Sequence, residues 1–597
     1  MPSNPLFKLF RRHQSRSGPA PCAIEESGVR RAYLLIDLVV ILGLVSFVFG
    51  ISLVVGEWRQ PLRSSMEIDL SPWSLPKYAL FSFARGWIAY FLSLIFALVV
   101  ASWAFYDTRA QRFILPALDV LQSLPVLSFL PGLVMGLVSV FPHSNIGLEL
   151  ACVLMIFTGQ VWNLTFSYYD SLRGMPPDFR ALSRLYDFSW WRRFWKVELP
   201  VGAQGLVYNS MVSMAGGWFF LSVTEAFQLG DQDFRVPGIG AYMSVAHERN
   251  DHLAQVFGVV AMGVVILAVD RLVWLPLVLG SKRFNLDDFA GASPLKSSVG
   301  LWLARSASLQ GIGLLFGRLW TGMVSPRHAP HRAPTDTEPV APKISKRFGL
   351  WLYRLILVLI AGTVALGLVQ LARLLAQVTL AEWRTVFADA GISFGRVVLA
   401  VTLGTLWTVP VGVWIGLNPR LSSKLQPFIQ FAASFPAPMI YPWILALFLH
   451  FSATALEWGA IPLIMLGTQW YILFNVSAAA AAIPNDIRSC AEILRLSGWR
   501  RWSRYLLPAI APGLVTGWVT AAGGAWNASI VAEYVQDKGK LYQATGLGAL
   551  ISEATAAKNF PVLTAASLVM ALIVVGINRT VWKKLQSLAN ERCRFGT

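Results

Sequence analysis

Apolar residues run along this chain in long blocks, not in the alternation of a half-buried strand or the stripe of a soluble amphipathic helix. Tyr33–Val55 is almost uncharged and covers the roughly 20 helical residues that a hydrocarbon core demands. Comparable blocks recur at 79–104, 120–141, 147–169, 202–230 and 254–280. A second set follows at 349–378, 393–417, 427–451, 457–482, 510–534 and 561–582. The pattern predicts an all-α polytopic membrane protein with about twelve transmembrane helices, some of them short or interrupted by Pro and Gly.

The two sets are copies of one another. From Trp162 to Trp274, residue n matches residue n+308 without a gap. Leu199-Pro200 aligns with Leu507-Pro508, and Gly216, Trp218 and Glu225 align with Gly524, Trp526 and Glu533. Gly238-x-Gly240 aligns with Gly546-x-Gly548, and Arg271-x-Val273-Trp274 with Arg579-x-Val581-Trp582. Earlier in the chain the offset is 311: Ser82-Phe83-x-Arg85 pairs with Ser393-Phe394-x-Arg396, and Ser123-x-Pro125 with Ser434-x-Pro436. A unit this long is a whole domain used twice, not a solenoid repeat. Each copy carries six predicted spans, an even number, so both enter the membrane in the same orientation. That predicts parallel repeats with a pathway between them. The expected divisions are a basic tail at 1–32, a first unit at 33–280, a linker at 281–346 and a second unit at 347–597.

Charge adds orientation. The chain has 597 residues, of which 14% are charged, against about a quarter in soluble proteins, and a net charge of +18. Lys and Arg gather in the tail, around 173–196, in 281–347, around 488–504 and after the last span. With the N-terminus in the cytoplasm, every one of these clusters falls on the cytoplasmic side, as the positive-inside bias requires. Membrane orientation thus accounts for the charge without nucleic acid. The first apolar block follows some thirty polar residues and lacks a small-residue cleavage site, so it reads as a retained span. The linker's Pro and Ser content predicts a flexible connector. Within it, Leu301–Met323 is amphipathic enough to lie on a membrane surface, and His328 and His331 read as solvated filler. Cys22, Cys152, Cys490 and Cys593 lie far apart and imply neither a disulfide framework nor a metal site. Gly539-Lys540 is followed by Leu541 and lacks the glycine spacing of a phosphate loop, so nucleotide must bind elsewhere. No catalytic constellation is present, and the chain reads as a non-enzyme.

One basic loop stands out in each unit, Asp178–Pro200 and Asp486–Pro508, with aromatics at helical spacing. A short helix of this kind either docks in a groove of another protein or lies at the interface on its tryptophans. The loops resemble the EAA loop of ABC importer permeases, which reads Glu-Ala-Ala, then Gly after three residues, and ends in Leu-Pro. Counting back from Pro508, the Glu-Ala-Ala position reads Ser489-Cys490-Ala491 and the glycine position Arg495. Counting back from Pro200, the same positions read Ala181-Leu182-Ser183 and Asp187. The second half also carries Gly395-Arg396, Pro410, Asn418-Pro419-Arg420, Ser434-Phe435-Pro436-Ala437 and Ala532-Glu533. It is similar to the nitrate/sulfonate/taurine branch of these permeases over nearly all of 390–582, and the first half is similar over 80–275.

The resemblance implies a type I ABC importer-like fold in a bacterial inner membrane, with both termini cytoplasmic and two permease units fused in one chain. It implies two ABC ATPase subunits carrying ATP and Mg, an external substrate-binding protein, and a small anion such as nitrate, sulfonate or bicarbonate as solute. Iron and thiamine are the alternative solutes, and a secondary transporter with two six-helix halves is the alternative class. The paired Leu-Pro loops and the scarcity of polar residues inside the spans favour the ABC reading. The implied ATPase contacts are Arg184, Asp187, Phe188, Ser189 and Trp191, with Glu492, Arg495, Leu496, Ser497 and Trp499 in the second loop. Phe188 and Leu496 are expected to insert into the ATPase.

Four further residues are candidates for the path: Trp218, Glu225, Trp526 and Glu533. An intramembrane carboxylate is costly and marks function by default. The competing reading has each glutamate capping backbone amides of the Gly-x-Gly loop that follows it. Trp218 and Trp526 either line the path or pack between the halves. Arg85 and Arg396 either attract an anion from the interior or snorkel at the interface.

Overall fold

The computed structural model describes residues 45, 49–50, 52–58, 67–229, 232–281, 358, 362–363, 365–450, 456–537 and 540–593. The predicted spans Tyr33–Val55 and 349–378 lie largely outside these residues. So do the tail 1–32 and, apart from Ser281, the linker 281–346 with its Leu301–Met323 segment, His328 and His331. The elements below belong to one compact unit comprising Phe47–Asp287 and His328–Thr597.

The first half runs α1 (Leu75–Tyr106), α2 (Thr108–Leu121), a 3-10 turn (Val126–Phe129), α3 (Leu130–Val140), α4 (Ile146–Arg173), α5 (Pro177–Leu185) and α6 (Leu199–Glu225). A short hairpin of β1 (Gln228–Leu229) and β2 (Gln232–Asp233), then α7 (Ile239–Glu248) and α8 (His252–Val269), complete it. The second half repeats the order with α9 (Leu380–Leu417), α10 (Pro419–Ser434), a turn at Ala437–Met439, α11 (Tyr441–Leu449), α12 (Leu456–Ala481), α13 (Asn485–Ile493) and α14 (Leu507–Ala532). Its hairpin pairs β3 (Tyr534–Asp537) with β4 (Lys540–Gln543), Tyr534 opposite Gln543, before α15 (Leu547–Ala556) and α16 (Phe560–Ile577).

The helices start where side chains satisfy their free N–H groups. Asp107 and Asn418, at equivalent positions, cap α2 and α10; Asp251 and Asn559 do the same for α8 and α16. Thr379 and Glu382 form a capping box at α9. Among the described residues, eight helical rods are long and apolar enough to cross a membrane, built on α1, α4, α6, α8, α9, α12, α14 and α16. Within each half, the fourth-position helix lies between its neighbours: α4 packs against α1 and α6, and α12 against α9 and α14. Small residues bring the backbones together, as at Gly517, where an added Cβ would lie 3.1 Å from the Ile472 Cα.

Two predicted spans are not single helices. The block 120–141 is divided between α2 and α3, which with the intervening turn meet at 85°. The block 427–451 is likewise divided between α10 and α11. Proline is the cause: Pro125 and Pro436 sit extended, with ψ of 101° and 106°, and a residue in that conformation cannot continue a helix. Each break carries a 3-10 turn onto a helix of the other half. The turn Val126–Phe129 packs on α14, and the turn Ala437–Met439 on α6, so each half inserts its break against the other.

Among the described residues, four π-helical turns also follow the repeat. Phe194–Glu198 and Trp502–Leu506 lead into α6 and α14; Asp270–Trp274 and Asn578–Trp582 follow α8 and α16.

Candidate functional site

Neither Arg85 nor Arg396 snorkels. The Arg85 guanidinium is fully buried and grips Glu149 with two bonds of 2.6 Å each, while its Nη1 donates to Glu225 at 2.7 Å and to the Pro237 carbonyl at 2.7 Å. Ser82 donates to the same Glu225 carboxylate at 2.8 Å, and Gly240 N–H donates to it at 2.9 Å. The second half rebuilds the cluster. Arg396 bridges Glu533 at 3.2 Å and Glu457, Ser393 donates to Glu533 at 2.8 Å, and Gly548 N–H donates at 2.9 Å. Both glutamates thus accept bonds from the Gly-x-Gly segment at the start of α7 or α15, where a helix N-terminus favours negative charge. Glycine is required there: a Cβ on Gly240 would lie 2.7 Å from the Ser222 carbonyl, and on Gly548 2.6 Å from that of Ser529. Glu149 and Glu457 complete the clusters and were missed in the sequence, although the offset of 308 pairs them.

Glu225 and Glu533 are fully buried in these clusters and do not line either large chamber between the halves. The first chamber, about 610 Å³, is lined at equivalent positions of both halves: Gly159 and Gly467, Asn163 and Tyr471, Gly216 and Gly524. Among the described residues, no Asp, Glu, Lys, Arg or His lines it; Asn, Gln, Ser, Thr, Tyr and Trp supply its polar groups. The second chamber, about 520 Å³, continues along the same two helices, with Ser222 and Ile530, and Val223 and Val531, in its wall. Between the two lie the broken-helix turns. Val126 and Ala437 face the first chamber, and their neighbours Leu127 and Pro438 face the second. The halves are joined at this level by hydrogen bonds from Leu127 N–H to Asn527 (3.3 Å), from Asn578 to Ser123 (2.6 Å) and from Ser567 to the Ser128 carbonyl (3.3 Å). On the second chamber's wall, Glu248 pairs with Arg235 at 3.0 Å, and Arg235 also holds Asp233 at 2.9 Å. Burial works against the Arg235 charge, but the two carboxylates outweigh it and hold its pKa above the ordinary value.

The two candidate tryptophans are equally buried: Trp526 stands in the wall of the first chamber, and Trp218 lies beside Gly86, where an added Cβ would lie 3.4 Å from its ring.

The paired loops share one backbone. α5 and α13 each end in a Schellman turn: Phe188 N–H bonds the Ser183 carbonyl (3.0 Å), and Leu496 N–H bonds that of Ala491 (3.1 Å). The residue that turns left-handed is Asp187 in one (φ 45°) and Arg495 in the other (φ 47°). Phe188 and Leu496 are half-buried. The apolar side chains that stand outward include Leu185 (78% exposed) with Tyr186, and Ile493 (78%) with Leu494, beside Trp190 and Trp499. Arg184, Asp187, Ser189 and Trp191 are exposed around the first pair, and Glu492, Arg495, Ser497 and Trp499 around the second. The first loop is further tied down by buried Glu198, which takes Arg193 at 2.8 Å and the Tyr106 hydroxyl; the equivalent Leu506 packs in an apolar cluster.

The chain belongs to the family of binding-protein-dependent transport system inner membrane components, which it matches twice, at 93–275 and 408–581. It is 31% identical over 153 residues to a bicarbonate transport system permease protein of Synechococcus elongatus, covering 26% of this chain and 51% of that one. It is 27% identical over 185 residues to a nitrate import permease protein of Synechocystis, covering 31% and 62%. It is 25% identical over 168 residues to a putative aliphatic sulfonates transport permease protein of Bacillus subtilis, covering 28% and 57%. The chain spans about half the length of the bicarbonate permease it matches.

Proposed function

We propose that this two-unit membrane component forms the translocation path of an ATP-driven importer for a small anion of the nitrate, bicarbonate or sulfonate kind. The observation that carries the reading is the pair of chambers in series between the halves, walled by equivalent residues and divided by the two proline-broken turns. An uncharged first chamber suits transit, because a fixed cation would hold an anion too tightly to release it. The relatives' names supply the solute class.

Separate ATPase subunits, which bind ATP and Mg, engage α5 and α13 from the cytoplasm, and an external binding protein delivers solute at the hairpin end. The basic loops and termini support this orientation under the positive-inside bias. ATP binding drives the path only if its free energy differs between the inward- and outward-facing states. The outward pairs Leu185–Tyr186 and Ile493–Leu494 are the apolar contacts for the ATPases, with Phe188 and Leu496 as their inner footing. Asp187 and Arg495 give the two contacts opposite charge. The π turns at Phe194–Glu198 and Trp502–Leu506 lie on the route from these contacts into α6 and α14.

The test is copurification with the ATPases and ATP-dependent uptake in vesicles, with native mass spectrometry of the complex. One copy of this chain per two ATPase subunits is expected, and two copies would refute the arrangement. Asp187→Arg and Arg495→Asp should each uncouple ATP hydrolysis from uptake. Unchanged coupling in both variants places the contact elsewhere.

A further inference from the structure

The two paired loops share a backbone but not an anchorage. Each reaches its long helix through a π turn, in which Leu199 N–H bonds the Phe194 carbonyl five residues back and Leu507 N–H bonds that of Trp502. An arginine stands immediately before each turn, Arg193 or Arg501, and another in each short helix, Arg180 in α5 or Arg488 in α13. Among the described residues, only the first pair has side-chain partners. Arg193 donates from Nε to buried Glu198 at 2.8 Å, across the π turn itself, and its guanidinium lies 4.3 Å from the centre of the Tyr106 ring. The Tyr106 hydroxyl donates to the same Glu198 oxygen. Arg180 lies 4.9 Å from the centre of the Phe105 ring and donates to the Leu172 carbonyl at 3.3 Å. Phe105 and Tyr106 end α1, and Leu172 lies in the last turn of α4, so the first loop is bonded to both helices.

The second half lacks these partners. The positions of Phe105, Tyr106 and Glu198 are held there by Gly416, Leu417 and Leu506. Leu506 is buried in an apolar cluster against which Leu417 packs. Arg488 bonds backbone carbonyls of Ala480, Ala481 and Ile483, and Arg501 is exposed. Both halves nevertheless form the same helices and the same π turn, so the polar cluster is not what builds the scaffold. Its geometry fits another role. Residues five apart, as Arg193 and Glu198 are, stand about 140° apart round an α-helix, and the π turn is what brings them together. The ion pair therefore holds only while the turn keeps its π form. Opening it would leave Glu198, at 0% side-chain exposure, without its cation. In the second half a passage of the turn from π to α breaks no ion pair.

We propose that Glu198 is a positioning residue for coupling. With Arg193 and Tyr106 it locks the first π turn, so that α5 moves as one body with α1 and α6, whereas α13 pivots at an unlocked turn. A motion of the ATPase at α5 then reaches α6 undiminished, and part of the corresponding motion at α13 is absorbed before α14. The proposal rests on the reading of α5 and α13 as the ATPase contacts, and adds that the two contacts transmit unequally.

The experiment uses the full chain with its copurifying ATPases in nanodiscs, untrapped or trapped with ATP and vanadate. The reporters are Val223→Cys on α6 and Val531→Cys on α14, at equivalent positions in the wall of the second chamber. Each is read as a rate of thiol modification, with Cys22, Cys152, Cys490 and Cys593 replaced by serine. Trapping should change the rate more at position 223 than at position 531. Glu198→Leu, which copies the second half, should reduce the change at position 223 by about twofold or more and leave position 531 unaltered, with the ATPases still bound. A role in stability alone would not alter the difference between trapped and untrapped protein. Tyr106→Phe removes one bond to Glu198 and should reduce the change by a smaller factor, which keeps the test open if Glu198→Leu fails to fold. The reciprocal graft Leu417→Tyr/Leu506→Glu should enlarge the change at position 531. Equal changes at the two reporters in wild type, or an undiminished change at position 223 in folded Glu198→Leu, overturn the proposal and leave the importer reading intact. Absence of any copurifying ATPase removes the importer reading and the proposal with it.

Discussion

Removing the guanidinium of Arg85 should damage the protein more than removing that of Arg396, although the two arginines are repeat equivalents. Arg85→Met leaves two carboxylates, Glu149 and Glu225, both with 0% side-chain exposure and, among the described residues, no other cation in contact. Arg396→Met leaves Glu533 at 0% exposure, but Glu457 is 39% exposed and water can take over its charge. Breaking a buried ion pair from one side costs about 3–5 kcal/mol, mostly as the penalty of the orphaned charge. One orphan then places Arg396→Met at about 3 kcal/mol, and two place Arg85→Met at about 5 kcal/mol or beyond. Glu225 and Glu533 keep their bonds from Ser82 and Gly240, or Ser393 and Gly548, in both variants, so these terms largely cancel in the comparison. The assay is denaturant unfolding of purified protein in mild detergent, followed by loss of monodisperse protein, with thermal inactivation as a second measure. A second variant sharpens it: Arg85→Met/Glu149→Gln removes one orphaned charge and should recover part of the loss. Equal loss from the two single variants, or no recovery in the double variant, would show that burial of charge is not what these clusters contribute.

Three further outcomes follow from local geometry. Gly548→Ala should destabilise by about 1–3 kcal/mol, because its Cβ meets backbone atoms of Ser529 at 2.6 and 2.7 Å, whereas Gly576→Ala, with nothing within 4 Å, should not; denaturant unfolding compares them. Arg495→Gly should stabilise the second loop by about 1 kcal/mol, the strain of a left-handed L-residue, read as slower amide exchange at Leu496; faster exchange there would contradict it. Lys583→Ala removes a 2.6 Å pair with Asp119 across the halves, but the side chains are 48% and 26% exposed, so its unfolding midpoint should fall by less than about 1 kcal/mol in equivalent stability.

Much of the fold is written locally, and the repeat makes this visible. Asp107 and Asn418 differ in charge yet cap equivalent helices, because both offer a short side-chain oxygen to a free N–H. Among the described residues, the left-handed ones outside glycine fall into two equivalent pairs, Asn250 with Lys558 and Asp187 with Arg495. Their common backbone is therefore set by the surrounding helix ends, and Lys and Arg tolerate it. The long apolar blocks, the paired loops and the Glu–Gly-x-Gly association depend on neighbours in sequence or on the repeat register, so they could be read from the chain. The divided blocks at 120–141 and 427–451 had their prolines in view, but hydropathy averages over a window and does not feel one extended residue.

What no one-dimensional pattern held is how distant side chains share space. The fate of Arg85 depends on Glu149 and Glu225, brought from two other helices, and only their joint burial makes an ion cluster out of what reads as a snorkelling arginine. Trp218 and Trp526 occupy equivalent positions and are equally buried, yet Trp526 stands in the wall of the large first chamber and Trp218 in that of a space of about 10 Å³. The difference lies in Trp87 and Met214 against Val398 and Ala522, residues more than a hundred positions apart within each half. Hydrophobicity is nearly the same in both sets, so pattern cannot separate them. Excluded volume can, because it acts only once the helices have met.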